Sequence, residues 1–172
     1  LTDGRPTALG AFEKPLTRSA PTMWNVGYLQ NLYWDGRAGS LEAQAGGAWK
    51  GGNMGAKGHV ERILAELNAV PEYRGQFESV FGEPATETNV QQALATYMRT
   101  LIAQDSAWDR WQAGDEDALS ESAQRGWETF QALGCNSCHG GVLFTDQQFH
   151  NVGIGMDAES PDVGRFKITQ VE

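Results

Sequence analysis

Residues 120–139 read SESAQRGWETFQALGCNSCH and contain both a predicted helix and the chain's two cysteines. Ser120 is a typical helix N-cap, and apolar side chains then recur at helical spacing until a glycine ends the helix. Directly after that glycine come Cys135, Cys138 and His139, in the pattern Cys-x-x-Cys-His. The stretch therefore predicts an amphipathic helix that leads straight into a chemically reactive turn.

The middle of the chain shows the same helical periodicity. Apolar residues at helical spacing predict one helix from His59, a second opened by Pro71, and a longer one capped by Thr86 or Thr88. Trp108 and its neighbours are expected on a short turn. No segment alternates long enough to predict a strand. The sequence therefore predicts an all-α fold.

Residues 1–57 are rich in Gly and Pro, which indicates long loops. The one helical candidate there is 41–45, with Ser40 as N-cap and Gly46-Gly47 as the expected end. Long loops beside a helical scaffold often carry functional residues.

Composition excludes several classes of function. The chain has 172 residues and a net charge of −9, so an acidic surface argues against nucleic acid as a partner. No apolar run of about 18 residues exists, so no membrane span is predicted. The chain starts without Met or a signal peptide, and we expect it to be a piece of a longer exported protein.

Three chemistries use two cysteines at this spacing. A thioredoxin-like redox pair expects a βαβ context, which the sequence does not show. A structural zinc site needs four ligands, and only His59 and His150 remain, neither at a typical ligand spacing. In covalent haem attachment both thiols form thioethers with the porphyrin, and the adjoining His139 binds the iron. The pattern favours haem c, with a structural or redox pair as the alternative.

Several ordered blocks carry a resemblance to a known family. They are 19–26 (SAPTMWNV), 33–38 (YWDGRA), 40–45 (SLEAQA) and 144–153 (FTDQQFHNVG). Together with the Cys-x-x-Cys-His turn they resemble the bacterial di-haem cytochrome c peroxidase family, which includes the maturase of methylamine dehydrogenase. Blocks 33–38 and 40–45 resemble that family's "F-W-D-G-R-A" and "S-L-E-x-Q-A" patterns.

The resemblance implies parts of two tandem cytochrome c-like domains. Residues 1–115 would be the remainder of the first, peroxidatic haem domain, and 116–172 the start of the second, electron-transfer domain. A first Cys-x-x-Cys-His is then expected upstream of Leu1, so that one haem c is attached in this chain and another before it. The echo between Leu1-Thr2-Asp3 and the Phe144-Thr145-Asp146 triplet agrees with such a repeat.

The resemblance also implies roles for four residues. Trp34 would lie between the two haems, where its ring suits electron transfer, and Asn25 would bind a structural calcium ion. Tyr33 and Gln44 would line the peroxide side of the first haem. Without the resemblance, a core aromatic and a turn residue are the simpler interpretations of Trp34 and Asn25.

One departure from the family concerns the expected catalytic residue. The family's loop resembles G-P-x-x-N-P-x-E-M, whereas residues 47–54 read GAWKGGNM, so Asn53 stands where a glutamate is expected. An amide cannot exchange a proton with peroxide, so general acid–base help is missing. A second open question is His150, which lies either at the haem edge or in a buried structural role.

The predicted function is a periplasmic di-haem peroxidase-like oxidoreductase that reduces hydrogen peroxide. Expected partners are a small electron-donor protein (a cytochrome c or a cupredoxin) and, as an option, a second copy in a homodimer. One alternative is a maturase-like enzyme that oxidises a side chain on a partner protein. Another is a non-enzymatic electron-transfer cytochrome c, which Asn53 favours.

Overall fold

The structure is a computed structural model that describes residues 4–170. Helices are the regular elements of this part of the chain, which otherwise holds two isolated β-bridges, and this confirms the all-α prediction. The α-helices are α1 (Leu41–Trp49), α2 (Val60–Ala69), α3 (Pro71–Phe81), α4 (Glu87–Arg99), α5 (Ala107–Gln112), α6 (Glu121–Ala132) and α7 (Phe166–Thr169). Short 3-10 turns are Ala11–Glu13, Val26–Tyr28, Glu116–Ala118 and Cys135–Ser137.

The described chain divides into two compact units. The first comprises residues up to Leu101 together with the segment from Val163 onward, and the second is Ile102–Asp162. The sequence predicts a boundary between two haem domains at residues 115 and 116, and this boundary stays a prediction. The Leu1-Thr2-Asp3 echo lies outside the described residues. Over residues 4–170, no helix has the length and apolar character that crossing a membrane requires.

The first unit is built on the packing of α1 against α4. Ala95 of α4 is completely buried in this contact, within a core of small and aliphatic side chains. Ion pairs join the two helices at both ends, Lys50 with Glu87 and Arg99 with Glu42 at 2.7 Å. The hydrogen bond from Arg99 lowers the pKa of the Glu42 carboxyl, so this pair stays charged at neutral pH.

Helix α1 is longer than the sequence predicts. Gly46 and Gly47 do not end it, and the helix runs on to Trp49. At both glycines a Cβ would force a neighbouring side chain to move, because it would lie 2.8 Å from the Gln91 side chain at Gly46 and 2.9 Å from the Tyr33 hydroxyl at Gly47. The glycine pair therefore marks close approach of neighbouring groups and not a helix end.

The start of α4 confirms Thr86 as its N-cap. The Thr86 hydroxyl accepts a hydrogen bond from the Asn89 amide, and the Asn89 side chain accepts one from the Thr86 amide at 2.6 Å. Asn89 is 2% exposed and also donates to the Pro84 carbonyl at 2.9 Å. This reciprocal capping box satisfies backbone donors that would otherwise lack partners at the helix start.

The second unit has an aromatic centre. Trp108 lies edge-on to Trp127 of α6, with ring centroids 4.6 Å apart, and to Phe144 at 5.1 Å. Trp108 belongs to a six-residue helix capped by Ser106, so the prediction of a mere turn there is wrong. Ser120 caps α6 as predicted, by accepting from the Ala123 amide. The cluster fixes α6 and the turn that follows it within one small unit.

Candidate functional site

The Cys-x-x-Cys-His turn follows α6 directly. Backbone amides of Cys138 and His139 both donate to the Cys135 carbonyl, at 3.4 and 2.9 Å, which folds the segment into a tight 3-10 turn. Gly140 follows the turn at a position without room for a side chain, because a Cβ there would lie 2.6 Å from the Asn136 carbonyl oxygen. Both thiols are free and partly buried, and they lie on one compact turn.

The His139 ring is oriented by a backbone carbonyl. Its Nδ1 lies 3.3 Å from the carbonyl oxygen of Phe144, whose left-handed backbone (φ 53°) belongs to the following loop. A carbonyl oxygen only accepts, so this contact fits the neutral imidazole with its proton on Nδ1, the tautomer whose Nε2 lone pair can bind a metal. Two free thiols beside an imidazole with an available Nε2 fit covalent haem attachment.

A second polar group lies beside this turn. The Asp146 amide donates to the Cys138 carbonyl at 2.9 Å, and His150 Nε2 lies 2.8 Å from an Asp146 carboxylate oxygen. His150 is hydrogen-bonded but exposed, so a buried structural histidine is the wrong interpretation. Among the residues described, Cys138, Asp146 and His150 are the one group of three or more His, Cys, Asp or Glu residues whose ligand atoms lie within 4.8 Å of one another.

Tyr33 and Gln44 are brought together in the first unit. The Tyr33 hydroxyl donates to the Gln44 backbone carbonyl at 2.9 Å, and the Arg37 guanidinium lies 3.6 Å above the Tyr33 ring. Burial raises the pKa of the Tyr33 phenol, so it stays protonated at neutral pH. The contact is to the backbone, so Tyr33 fixes the turn of α1 that carries Gln44.

Trp34 is not a core aromatic. The residue is 56% exposed, and its indole N–H donates to the Ser19 carbonyl at 2.8 Å. One hydrogen bond thus fixes the orientation of an otherwise accessible ring.

The helix that carries Gln44, α1, ends at Trp49. The buried Nε1 of Trp49 has no hydrogen-bond partner within the described structure.

Within residues 4–170, the one group of three or more His, Cys, Asp or Glu ligands includes neither Asn25 nor Asn53. The Asn25 backbone is left-handed (φ 58°), and its amide donates to the Leu101 carbonyl at 2.8 Å. No group of three or more His, Cys, Asp or Glu ligands surrounds Asn25 among residues 4–170. Asn53 is exposed, and its backbone carbonyl accepts from the Ala11 amide at 2.7 Å.

An ionic centre that the sequence does not reveal lies next to Trp34. The Asp35 carboxylate, 6% exposed, accepts from Arg18 at 2.9 Å and from Arg37 at 2.8 Å, while its backbone carbonyl accepts from Arg165 at 3.0 Å. Burial raises the pKa of Asp35, but the hydrogen bonds from Arg18 and Arg37 outweigh it and leave the pKa lowered. An Asp-Gly-Arg sequence gives no sign that arginines 17 residues upstream and 130 downstream converge on it.

Replacement of Asp35 therefore tests the first unit's stability. We expect Asp35→Asn to lower the free energy of unfolding by about 2–4 kcal/mol at pH 7, because two arginines lose their buried counter-charge. Because the pKa of Asp35 is lower in the folded protein than in the unfolded chain, its ion pairs stabilise the fold at pH values above the ordinary pKa of Asp. This stabilisation is lost as the pH falls through the folded-state pKa. The difference from the parent protein should accordingly shrink below about pH 4 in denaturant titrations.

The matched control is Glu83→Gln, which removes an exposed carboxylate from the same unit and should change little. An Asp35→Asn protein with the parent's unfolding midpoint at pH 7 would contradict the role given to this ionic centre.

These features define an all-α, cytochrome c-like fold with a Cys-x-x-Cys-His turn. Residues 1–117 match the family model described as di-haem cytochrome c peroxidase. The chain belongs to the di-haem cytochrome c peroxidase family, which implies haem c as its cofactor.

Individual relatives agree with that assignment. The chain is 33% identical over 175 residues to cytochrome c peroxidase Ccp of Escherichia coli, covering 99% of this chain and 38% of the relative. It is 40% identical over 171 residues to methylamine utilization protein MauG of Methylorubrum extorquens, covering 96% and 46%. A crystal structure of a MauG-like protein associated with microbial copper homeostasis superposes with a TM-score of 0.87 at 27% identity, covering 98% of this chain and 55% of that one. The chain thus spans about half the length of the relatives it matches, or less.

Proposed function

We propose that this chain belongs to a periplasmic peroxidase-like oxidoreductase that reduces hydrogen peroxide with electrons passed through a c-type haem. The observation that carries the proposal is the turn of Cys135, Cys138 and His139, whose imidazole keeps Nε2 available while Nδ1 donates to Phe144. Cys135 and Cys138 would hold the haem covalently and His139 would bind its iron. Bound there, haem c supplies reversible one-electron chemistry.

Residues of the first unit are assigned to the peroxide side by their family positions. Gln44 would orient peroxide, and Tyr33 would hold the backbone of that turn of α1 through its 2.9 Å hydrogen bond. The buried Trp49 indole N–H on the same helix needs an acceptor, and an oxygen ligand would supply one. These contacts support a site for a small oxygen-containing substrate.

Trp34 would carry electrons toward the peroxide side. Its ring is accessible, and the Ser19 carbonyl that accepts from its Nε1 would stabilise the transient positive charge left by the loss of one electron. We expect Trp34→Phe to slow peroxide reduction by the donor-reduced, haem-loaded protein at least tenfold, because phenylalanine is harder to oxidise. Stopped-flow oxidation of the reduced protein measures the effect.

Trp24→Phe is the matched control, since Trp24 is also exposed (44%) and belongs to the same unit. It should leave the rate unchanged. Equal rates for the parent and for Trp34→Phe would contradict the electron-transfer role. A parent protein without any peroxide-dependent haem oxidation would contradict the proposed function itself.

Two alternative functions follow from specific observations. Asn53 offers an exposed amide where the family expects a catalytic carboxylate, and this favours a non-enzymatic electron-transfer cytochrome c. The 40% identity to MauG favours a maturase-like oxidation of a partner protein's side chain. Peroxide turnover separates the first alternative from both enzymes, and oxidation of an added protein substrate identifies the second.

The remaining proposals concern a calcium ion, the partner proteins and the location of the protein. Asn25 would contribute an amide oxygen to a calcium ion, a hard cation that accepts such ligands. The net charge of −9 suits docking of a basic electron-donor protein such as a small cytochrome c or a cupredoxin. A homodimer and a periplasmic location, where haem c is attached covalently, complete the proposal.

A further inference from the structure

Asp146 is fixed against the second cysteine of the haem turn. Its backbone amide donates to the Cys138 carbonyl at 2.9 Å, which ties the loop to the turn. One of its carboxylate oxygens, the Cys138 sulfur and a ring nitrogen of His150 lie within 4.8 Å of one another. A negative charge therefore lies beside the atom through which the haem would be attached.

Local hydrogen bonds keep this carboxylate ionised and in place. The Gln148 amide donates to one oxygen at 2.9 Å, and His150 Nε2 lies 2.8 Å from the other. The hydrogen bond from the Gln148 backbone, followed by that from His150, lowers the pKa of the Asp146 carboxyl. The side chain is 30% exposed, so water and salt weaken its field without removing it.

The cluster is better suited to tuning a haem than to holding a metal ion. Cys138, Asp146 and His150 offer one sulfur, one oxygen and one nitrogen, a set that Zn²⁺ accepts. However, the Cys138 thiol is consumed when it forms a thioether, and a thioether sulfur is a poor zinc ligand. In the haem-loaded protein, what remains beside Cys138 is the carboxylate charge and its histidine partner.

We propose that Asp146 lowers the reduction potential of the haem attached at Cys138, with His150 moderating its charge. This inference rests on the proposed haem attachment. Reduction adds one electron to the haem iron, and a fixed negative charge nearby makes that addition less favourable. The hydrogen bond from His150 withdraws some of the carboxylate's charge, so the two residues act in opposite directions.

The test is a spectroelectrochemical titration of the haem-loaded protein at one pH and ionic strength. The ratio of reduced to oxidised haem is compared at the midpoint potential of the parent protein. We expect Asp146→Asn to raise this ratio about threefold, for one haem couple and no other. Asp146→Glu keeps the charge and should retain the parent's ratio. Asp157→Asn, an exposed carboxylate of the same unit, is the matched control and should leave the couple unchanged.

A second variant tests the role of His150 while the negative charge of Asp146 stays in place. His150→Leu leaves the carboxylate but takes away its donor, so the ratio should fall below the parent's value, opposite in sign to Asp146→Asn. An unchanged couple in Asp146→Asn, or the same displacement in Asp146→Glu, overturns the inference. Each of these results is obtained with a parent protein that contains covalent haem. A parent without covalent haem would overturn the haem assignment together with this inference.

Discussion

Protein carrying Cys135→Ser together with Cys138→Ser should contain no haem covalently bound at this turn. Each thioether needs a thiol, and a serine hydroxyl does not add to the porphyrin vinyl group under the same conditions. The expected effect is all-or-none for this haem. It is measured as haem absorbance that survives denaturation and removal of free haem, in protein made with the haem-attachment machinery.

Asn136→Ser is the matched control for this double variant. It introduces a serine into the same turn but leaves both thiols, and the Asn136 carbonyl near Gly140 is retained because it belongs to the backbone. Full covalent haem is expected in the control. If the double variant kept as much covalent haem at this turn as its parent, the assignment of the turn would be wrong.

The second large effect concerns the loop after α1. We expect Asn53→Glu to increase peroxide turnover about 10²–10⁴-fold, because a carboxylate takes a proton from peroxide and returns it to the leaving oxygen. The structure tolerates the change, since Asn53 is exposed and its 2.7 Å contact with Ala11 uses the backbone carbonyl. Steady-state oxidation of a reduced electron donor measures the gain.

Asn53→Gln separates proton transfer from side-chain length. Glutamine has the reach of glutamate but no titratable group, so its turnover should stay at the parent's level. A gain in both variants would show that length alone matters, and no gain in either would show that residue 53 does not occupy the catalytic position.

The local elements were predictable because neighbouring residues determine them. Ser120 caps its helix through the amide three residues on, and Thr86 does the same for α4. The fold of the reactive turn is equally local, since the Cys138 and His139 amides donate to the Cys135 carbonyl of the same turn. Side-chain type and spacing contain that information, and the sequence therefore predicts these features correctly.

Features that depend on distant residues were not predictable. Gly46 and Gly47 look like a helix end, and only the contacts of Gln91 and Tyr33 show why the helix continues. The arginines around Asp35 and the Asp146 carboxylate beside Cys138 depend in the same way on how loops fold back. The roles of Asn25, Tyr33, Gln44 and Trp34 at the site stay predictions from family position.

The hydrogen bond from Arg165 to the Asp35 carbonyl joins residues 130 positions apart. Since the first unit resumes only at Val163, its amino-terminal segment emerges from the ribosome long before the arginine that completes it. The whole of the second unit, with its cysteines, is synthesised in the interval. We therefore expect the contacts around Asp35 to be completed only after the whole of the second unit has been synthesised, when Arg165 becomes available to the Asp35 carbonyl.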